Sequence, residues 1–153
     1  MQLSSRAFEN QERLPTRYTC EGDSVSPPLT WQGVPENAKT LALVVDDPDA
    51  PSGQFTHWVV YNLPTIPPEL EEGASLSDRL SEGLREGFNS FGNQGYGAPC
   101  PPRGDGEHRY VFRLYALNNE LTFTGRVTRD QLLDRIEGKI LEEANLVGLY
   151  SRT

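Results

Sequence analysis

The apolar positions of the chain gather into four runs, set apart by polar stretches marked with Gly and Pro. Thr40-Leu41-Ala42-Leu43-Val44-Val45 is apolar at almost every position and bounded by turn residues, which predicts a strand buried on both faces. Phe55 to Leu63 is β-branched and aromatic and stops at Pro64; Arg109 to Leu117 repeats that character. Asn145 to Tyr150 predicts a closing strand. A helical period occurs at Thr128-Arg129-Asp130-Gln131, a capping-box pattern, followed by Leu132, Leu133, Ile136, Ile140 and Leu141 on one face. Gly138 weakens this helix by about 1 kcal/mol relative to Ala. Ser77 to Glu86 is expected to add a turn or two of helix. The pattern predicts mostly antiparallel β structure with peripheral helices.

Length and charge narrow the classes. A chain of 153 residues suits one domain spanning 1–153, large enough to bury roughly two-thirds of its unfolded surface. The net charge of −8 disfavours nucleic acid, which wants a basic face. The longest apolar run falls far short of the about 20 residues that a membrane-spanning helix needs. The amino terminus has no basic start leading into a hydrophobic run, so a cytoplasmic protein without a secretory signal is expected. Cys20 and Cys100 form no C-x-x-C pair, and in a reducing cytosol two unpaired buried thiols are the default expectation. A bridge between them is the alternative, most at home in a hyperthermophile.

Two loops carry the candidate chemistry. In Asp46-Asp47-Pro48-Asp49-Ala50-Pro51-Ser52-Gly53 two prolines fix φ, so the loop holds its carboxylates in place. If the flanking strands pair as a hairpin, Asp47 comes near His57. The stretch from Gly95 to Tyr110 is a long Gly/Pro loop, of a kind uncommon in a compact domain unless it shapes a site. A strand period of two puts His108, Tyr110 and Phe112 on one face and Arg109, Val111 and Arg113 on the other. Taken singly, each histidine could be a hydrogen-bonded strand residue. Together, two imidazoles, a fixed carboxylate and loose backbone amides describe a small anion pocket.

Asp47-Pro48-Asp49-Ala50-Pro51, His57-Trp58-Val59-Val60-Tyr61-Asn62 and Gly106-Glu107-His108-Arg109-Tyr110 resemble the phosphatidylethanolamine-binding proteins, a group that includes the Raf kinase inhibitor protein. Tyr18 to Gly22, Ser26 to Trp31 and Gly97 to Pro102 resemble its bacterial and archaeal branch. The resemblance implies a β-sandwich-like domain with a large central antiparallel sheet, a smaller second sheet and a few helices. It also implies an anion pocket built from Asp47, His57, His108 and Tyr110. Asp49, Trp58 and the loop Ala98, Pro99, Cys100, Pro101 and Pro102 would form its floor and rim. Ala98 and Cys100 stand where eukaryotic members have glycine. The C-terminal extension that reaches the rim in mammalian members is expected to be absent, since the chain ends at Arg152-Thr153.

The function expected is a binding protein, not an enzyme, with neither cofactor nor metal. Its ligand would be a small phosphorylated or carboxylated molecule, and it would regulate or inhibit other proteins, without nucleic acid or stable membrane insertion. The bacterial branch implies a homodimer, and apolar Leu146, Val147, Leu149 and Tyr150 appeal for cover. Asp47 is tolerable beside an anion if it orients an imidazole, shares a proton with the ligand, or meets an amine. The alternative is a hydrolase-like or metal-dependent enzyme, with Cys100 or water as nucleophile beside an Asp–His pair.

Overall fold

The computed structural model describes residues 1–75 and 85–153. Its strands are β1 (Gln2–Ser4), β2 (Glu12–Arg13), β3 (Leu29–Gln32), β4 (Thr40–Asp47) and β5 (Phe55–Leu63). They continue with β6 (Glu69–Leu70), β7 (Arg85–Glu86), β8 (His108–Leu117) and β9 (Ile140–Tyr150), with helix α1 (Arg129–Ile136) before β9. The predicted helix over 77–86 falls mainly outside the described residues, and its last two positions are the strand β7.

The large sheet runs β2-β9-β8-β4-β5-β7 and the small one β1-β3-β6. All pairings are antiparallel except β2 on β9, so the large sheet is mixed at that edge. Alternation in β4 and β8 sends two sets of side chains to opposite faces. Leu41, Leu43, Val45, Tyr110, Phe112 and Leu114 face the small sheet and pack with its Leu3, Leu29, Trp31 and Leu70. Ala42, Val44, Val59, Tyr61 and Tyr115 face the other way and cluster with Leu132 and Ile136 of α1. The fully apolar run of β4 is thus explained: it is central, with a core on each side.

The capping box forms as the sequence implies. Gln131 N donates to Thr128 Oγ1 and Thr128 N donates to Gln131 Oε1. The helix stops earlier than its period suggests, however. Gly138 sits at φ +80°, a left-handed conformation that ends helices, and Ile140 and Leu141 begin β9 instead. The apolar residues of β9 are covered unequally, with Val147 and Leu149 half-buried and Ile140 42% exposed. Leu146 and Tyr150 are buried in the core, and Gln11 N and Leu14 N donate to the carbonyls of Val147 and Leu149 along the strand's outer edge. Among the described residues no helix is long and apolar enough to cross a membrane.

Candidate functional site

A bulge prepares the site. Val45 pairs with Trp58 and Asp46 with Thr56, so His57 is the extra residue of β5 between two registered pairs. A bulge re-aims side chains that strict alternation would send apart. His57 therefore joins the face that carries Tyr110, the two rings lying 5.2 Å apart, although Trp58 is also on that face. Asp47 reaches the same place from the end of β4, and His108 and Tyr110 from the start of β8.

These four side chains line one cavity of about 300 Å³, with Ala50, Pro51, Ser52, Phe55, Phe91, Cys100, Pro101 and Pro102. Its walls are mostly apolar and its polar groups are few. Asp47, His57, His108 and Tyr110 are each at most 4% exposed.

His108 is held from both sides. Nδ1 lies 2.7 Å from Asp47 Oδ2, and Nε2 lies 2.7 Å from Asp105 Oδ2. A carboxylate only accepts, so both ring nitrogens must donate and the ring is an imidazolium. Burial opposes the charge, but the hydrogen bonds and charges of Asp47 and Asp105 outweigh it and raise the pKa above its ordinary value. His57 goes the other way. Burial lowers its pKa, against the opposing pull of its Gly97 hydrogen bond and of Asp47 and Asp46. Its Nδ1 is 2.7 Å from the Gly97 carbonyl oxygen. Burial raises the Tyr110 phenol far above the usual range, with the charge and hydrogen bonding of Asp47 adding to it.

The hairpin places Asp47 near His57, yet the carboxylate's hydrogen-bonded histidine is His108. Its other oxygen, Oδ1, accepts from the Asp49 amide at 2.8 Å and so locks the loop turn.

Four residues assigned by resemblance lie off the cavity. Asp49 turns outward to Arg109, accepting from its backbone amide, Nε and Nη2, and these hydrogen bonds lower its pKa to about 2. Trp58 is fully buried, donates from Nε1 to Glu86 at 2.6 Å and packs edge-on against Tyr96. Ala98 and Pro99 precede the lining segment, which is Cys100 to Pro102. Phe55 was readable from the sequence, two positions from His57 on a strand. Phe91 carried no such signal, because it comes from an irregular loop. Asp105 lies in the same Gly/Pro loop, three positions before His108, and nothing in that spacing marks it as the partner of Nε2.

The expectation of two free thiols is overturned. Cys20 and Cys100 form a disulfide across 80 positions, supported by a backbone hydrogen bond from Cys20 N to Pro99 O. In this state Cys100 has no thiol to act as a nucleophile. It is a fixed part of the cavity wall, and Arg152 Nε donates to the carbonyl of the next residue, Pro101, at 2.7 Å.

Comparison with known proteins bears on the family and the fold. The family model described as phosphatidylethanolamine-binding protein matches residues 4–151. A UPF0098 protein of Methanothermobacter thermautotrophicus is 49% identical over 152 residues, covering 99% of each chain. Among solved structures, Escherichia coli YbcL, described as a member of the mammalian PEBP family, superposes with a TM-score of 0.92 at 34% identity, covering 99% of this chain and 98% of its own. The PEBP homolog CT736 of Chlamydia trachomatis gives 0.90 at 41% identity, covering 99% and 97%.

Proposed function

We propose that this chain, which belongs to the phosphatidylethanolamine-binding protein family, uses the cavity as a binding site for phosphate-like or carboxylate head groups and is a binding protein rather than an enzyme. One observation carries the reading: a buried imidazolium, His108, has its outer N–H held by the carboxylate of Asp105. That side chain is 42% exposed, whereas Asp47 on the inner nitrogen is 4% exposed. Asp105 also sits in a turn between Gly104 and Gly106, both at positive φ, where the Gly104 and Asp105 amides donate to the carbonyls of Arg152 and Pro102 and the Asp105 side chain reaches solvent. Asp105 is thus the displaceable partner. An oxygen of a ligand anion takes its place, and low-dielectric walls strengthen the attraction to the charged ring.

At the level of the cell, the reading is a regulator or inhibitor of other proteins, homodimeric and cytoplasmic, in a cell whose cytoplasm keeps the Cys20–Cys100 bridge oxidised, as in a hyperthermophile. Family membership supports the regulatory role, and light scattering at micromolar concentration checks the dimer.

Thermal unfolding with inorganic phosphate and acetate tests the pocket. Ligand at 100 times Kd stabilises by about 2.7 kcal/mol, which moves the midpoint of a domain this size by several degrees. The shift should shrink as pH rises past the titration of His108, and should weaken in Tyr110→Phe, which removes one hydroxyl from the lining. A midpoint unmoved by either ligand overturns the reading.

A further inference from the structure

Asp47 and His57 impose a chemical demand that the cavity's shape does not. A carbonyl oxygen only accepts, so His57 donates to Gly97 from Nδ1. Phe55, Phe91 and Tyr110 surround the ring at centroid distances of 5.1, 5.7 and 5.2 Å. The charged groups acting on it are Asp47 and Asp46 from β4 and His108 from β8. With burial dominant the ring is neutral, and its Nε2 therefore carries a lone pair. Among the described residues no group donates to that nitrogen.

Asp47 is the second acceptor on the cavity. Its two oxygens take protons from the Asp49 amide and His108, and a carboxylate has about four lone-pair positions. Donors are fewer. Both N–H groups of His108 are engaged, and the Tyr110 hydroxyl faces Asp47. Pro51, Pro101 and Pro102 line the walls and have no N–H to offer, which leaves the Ser52 hydroxyl as the one further side-chain donor among the described lining residues.

Resting on the binding reading above, we infer that the ligand must bring its own hydrogen-bond donor to Asp47 and His57, so that the cavity takes an oxyanion still carrying a proton, such as hydrogen phosphate or the monoanion of a phosphate monoester, and rejects a bare oxyanion of the same shape. A site with buried acceptors discriminates against an analogue lacking the matching proton, because those acceptors would face oxygen lone pairs. The ligand's charged oxygen takes the place of Asp105 on His108, and its O–H goes to the acceptors.

Calorimetry on the unmodified protein separates the cases. At about pH 8 phosphate and sulfate are both mainly dianions of similar size, and only phosphate keeps an O–H. Phosphate should bind at least about tenfold more tightly. Equal affinity, or tighter sulfate, overturns the inference and leaves the anion pocket standing. Binding of neither removes both. Asp47→Asn, which offers an amide N–H where only acceptors stood, should bring the two ions closer together. The wild-type comparison decides the matter even if that variant does not fold.

Two diesters distinguish a soluble phosphate from a lipid head group. Dimethyl phosphate has no O–H and should be silent; binding equal to phosphate would overturn the inference. Glycerophosphoethanolamine has no O–H on its phosphate but carries an ammonium. If it binds while dimethyl phosphate does not, the donor is the ammonium and the head-group source is supported. At about pH 5, where a monoester keeps one proton on its phosphate, silence of both beside binding of glycerol phosphate assigns a soluble monoester.

Discussion

Asp46 and Asp47 are neighbours in β4 and face opposite sides of the large sheet. Asp47 serves the cavity. Asp46, 1% exposed, accepts from Thr56 Oγ1 at 2.7 Å, Gln54 Nε2 at 3.0 Å, Arg129 Nε at 3.0 Å and Arg113 Nη1 at 3.3 Å. Arg129 opens α1, so this carboxylate ties the helix to the sheet.

Asp46→Ala should therefore cost about 2–4 kcal/mol, less than for a wholly buried ion pair, because both arginines keep about a third of their side chains in water. Urea unfolding measures it. Phosphate binding per folded molecule should be retained, since Asp46 does not line the cavity and its removal only reinforces the neutral form of His57. A loss below about 0.5 kcal/mol would place the anchoring of α1 elsewhere, in its apolar contacts.

The chain has two histidines, so two imidazole signals in a proton-detected titration report the whole site. His108 should titrate above 6.5 and His57 below it. Asp105→Asn should lower the first and leave the second nearly still. The linked stabilities have opposite signs. The raised pKa of His108 contributes stability that is complete below about 6.5 and is lost as pH rises through its folded value. The depressed pKa of His57 contributes stability present above about 6.5 and lost as pH falls through its folded value. Thermal midpoints should thus decline on both sides of neutrality, the alkaline decline disappearing in His108→Asn. Two coincident titrations near 6.5 would contradict the assignment.

Reduction of the Cys20–Cys100 bridge should be costly. Opening a loop of 80 residues removes about 4–5 kcal/mol in the chain-entropy picture, which lowers the midpoint by roughly 10–15 °C for this size. Melting with and without dithiothreitol, with a thiol count to verify reduction, reads it directly. The response to phosphate should weaken as well, because Cys100 is part of the wall. An unchanged midpoint in fully reduced protein would show that the surrounding packing alone fixes the loop.

The sequence was most legible where residues make long runs. β4, β5 and β8 follow their apolar stretches closely, and the Thr128 capping box marks the start of α1. β1, β2, β6 and β7 have only two or three residues each, too few for any period, and exist because longer strands offer them an edge. The helix end is hidden in the pattern because Ile140 and Leu141 continue the helical spacing, while Gly138 breaks the backbone. Asp47, His57, His108 and Tyr110 are legible as a group, since stiff loops and strand starts bring them together. Their partners were not. Nothing in the order of residues says that Asp47 holds His108 rather than His57, that Asp49 turns away to Arg109, or that a bulge sets His57 and Trp58 on one face. Pairing of Cys20 with Cys100 depends on a meeting across 80 positions, which spacing alone cannot reveal.

That wall has a consequence for biosynthesis. Cys100 is joined to a residue made long before it, while the Pro101 carbonyl is held by Arg152, made 51 residues after it. His108 likewise stands opposite Tyr150 in the β8–β9 register. A growing chain on the ribosome can therefore pair β4 with β5 early, yet its cavity stays unfinished until Arg152 has left the exit tunnel. A chain cut short before β9 lacks both the tie to the Pro101 carbonyl and the strand that stands opposite His108, even if β4 and β5 have paired.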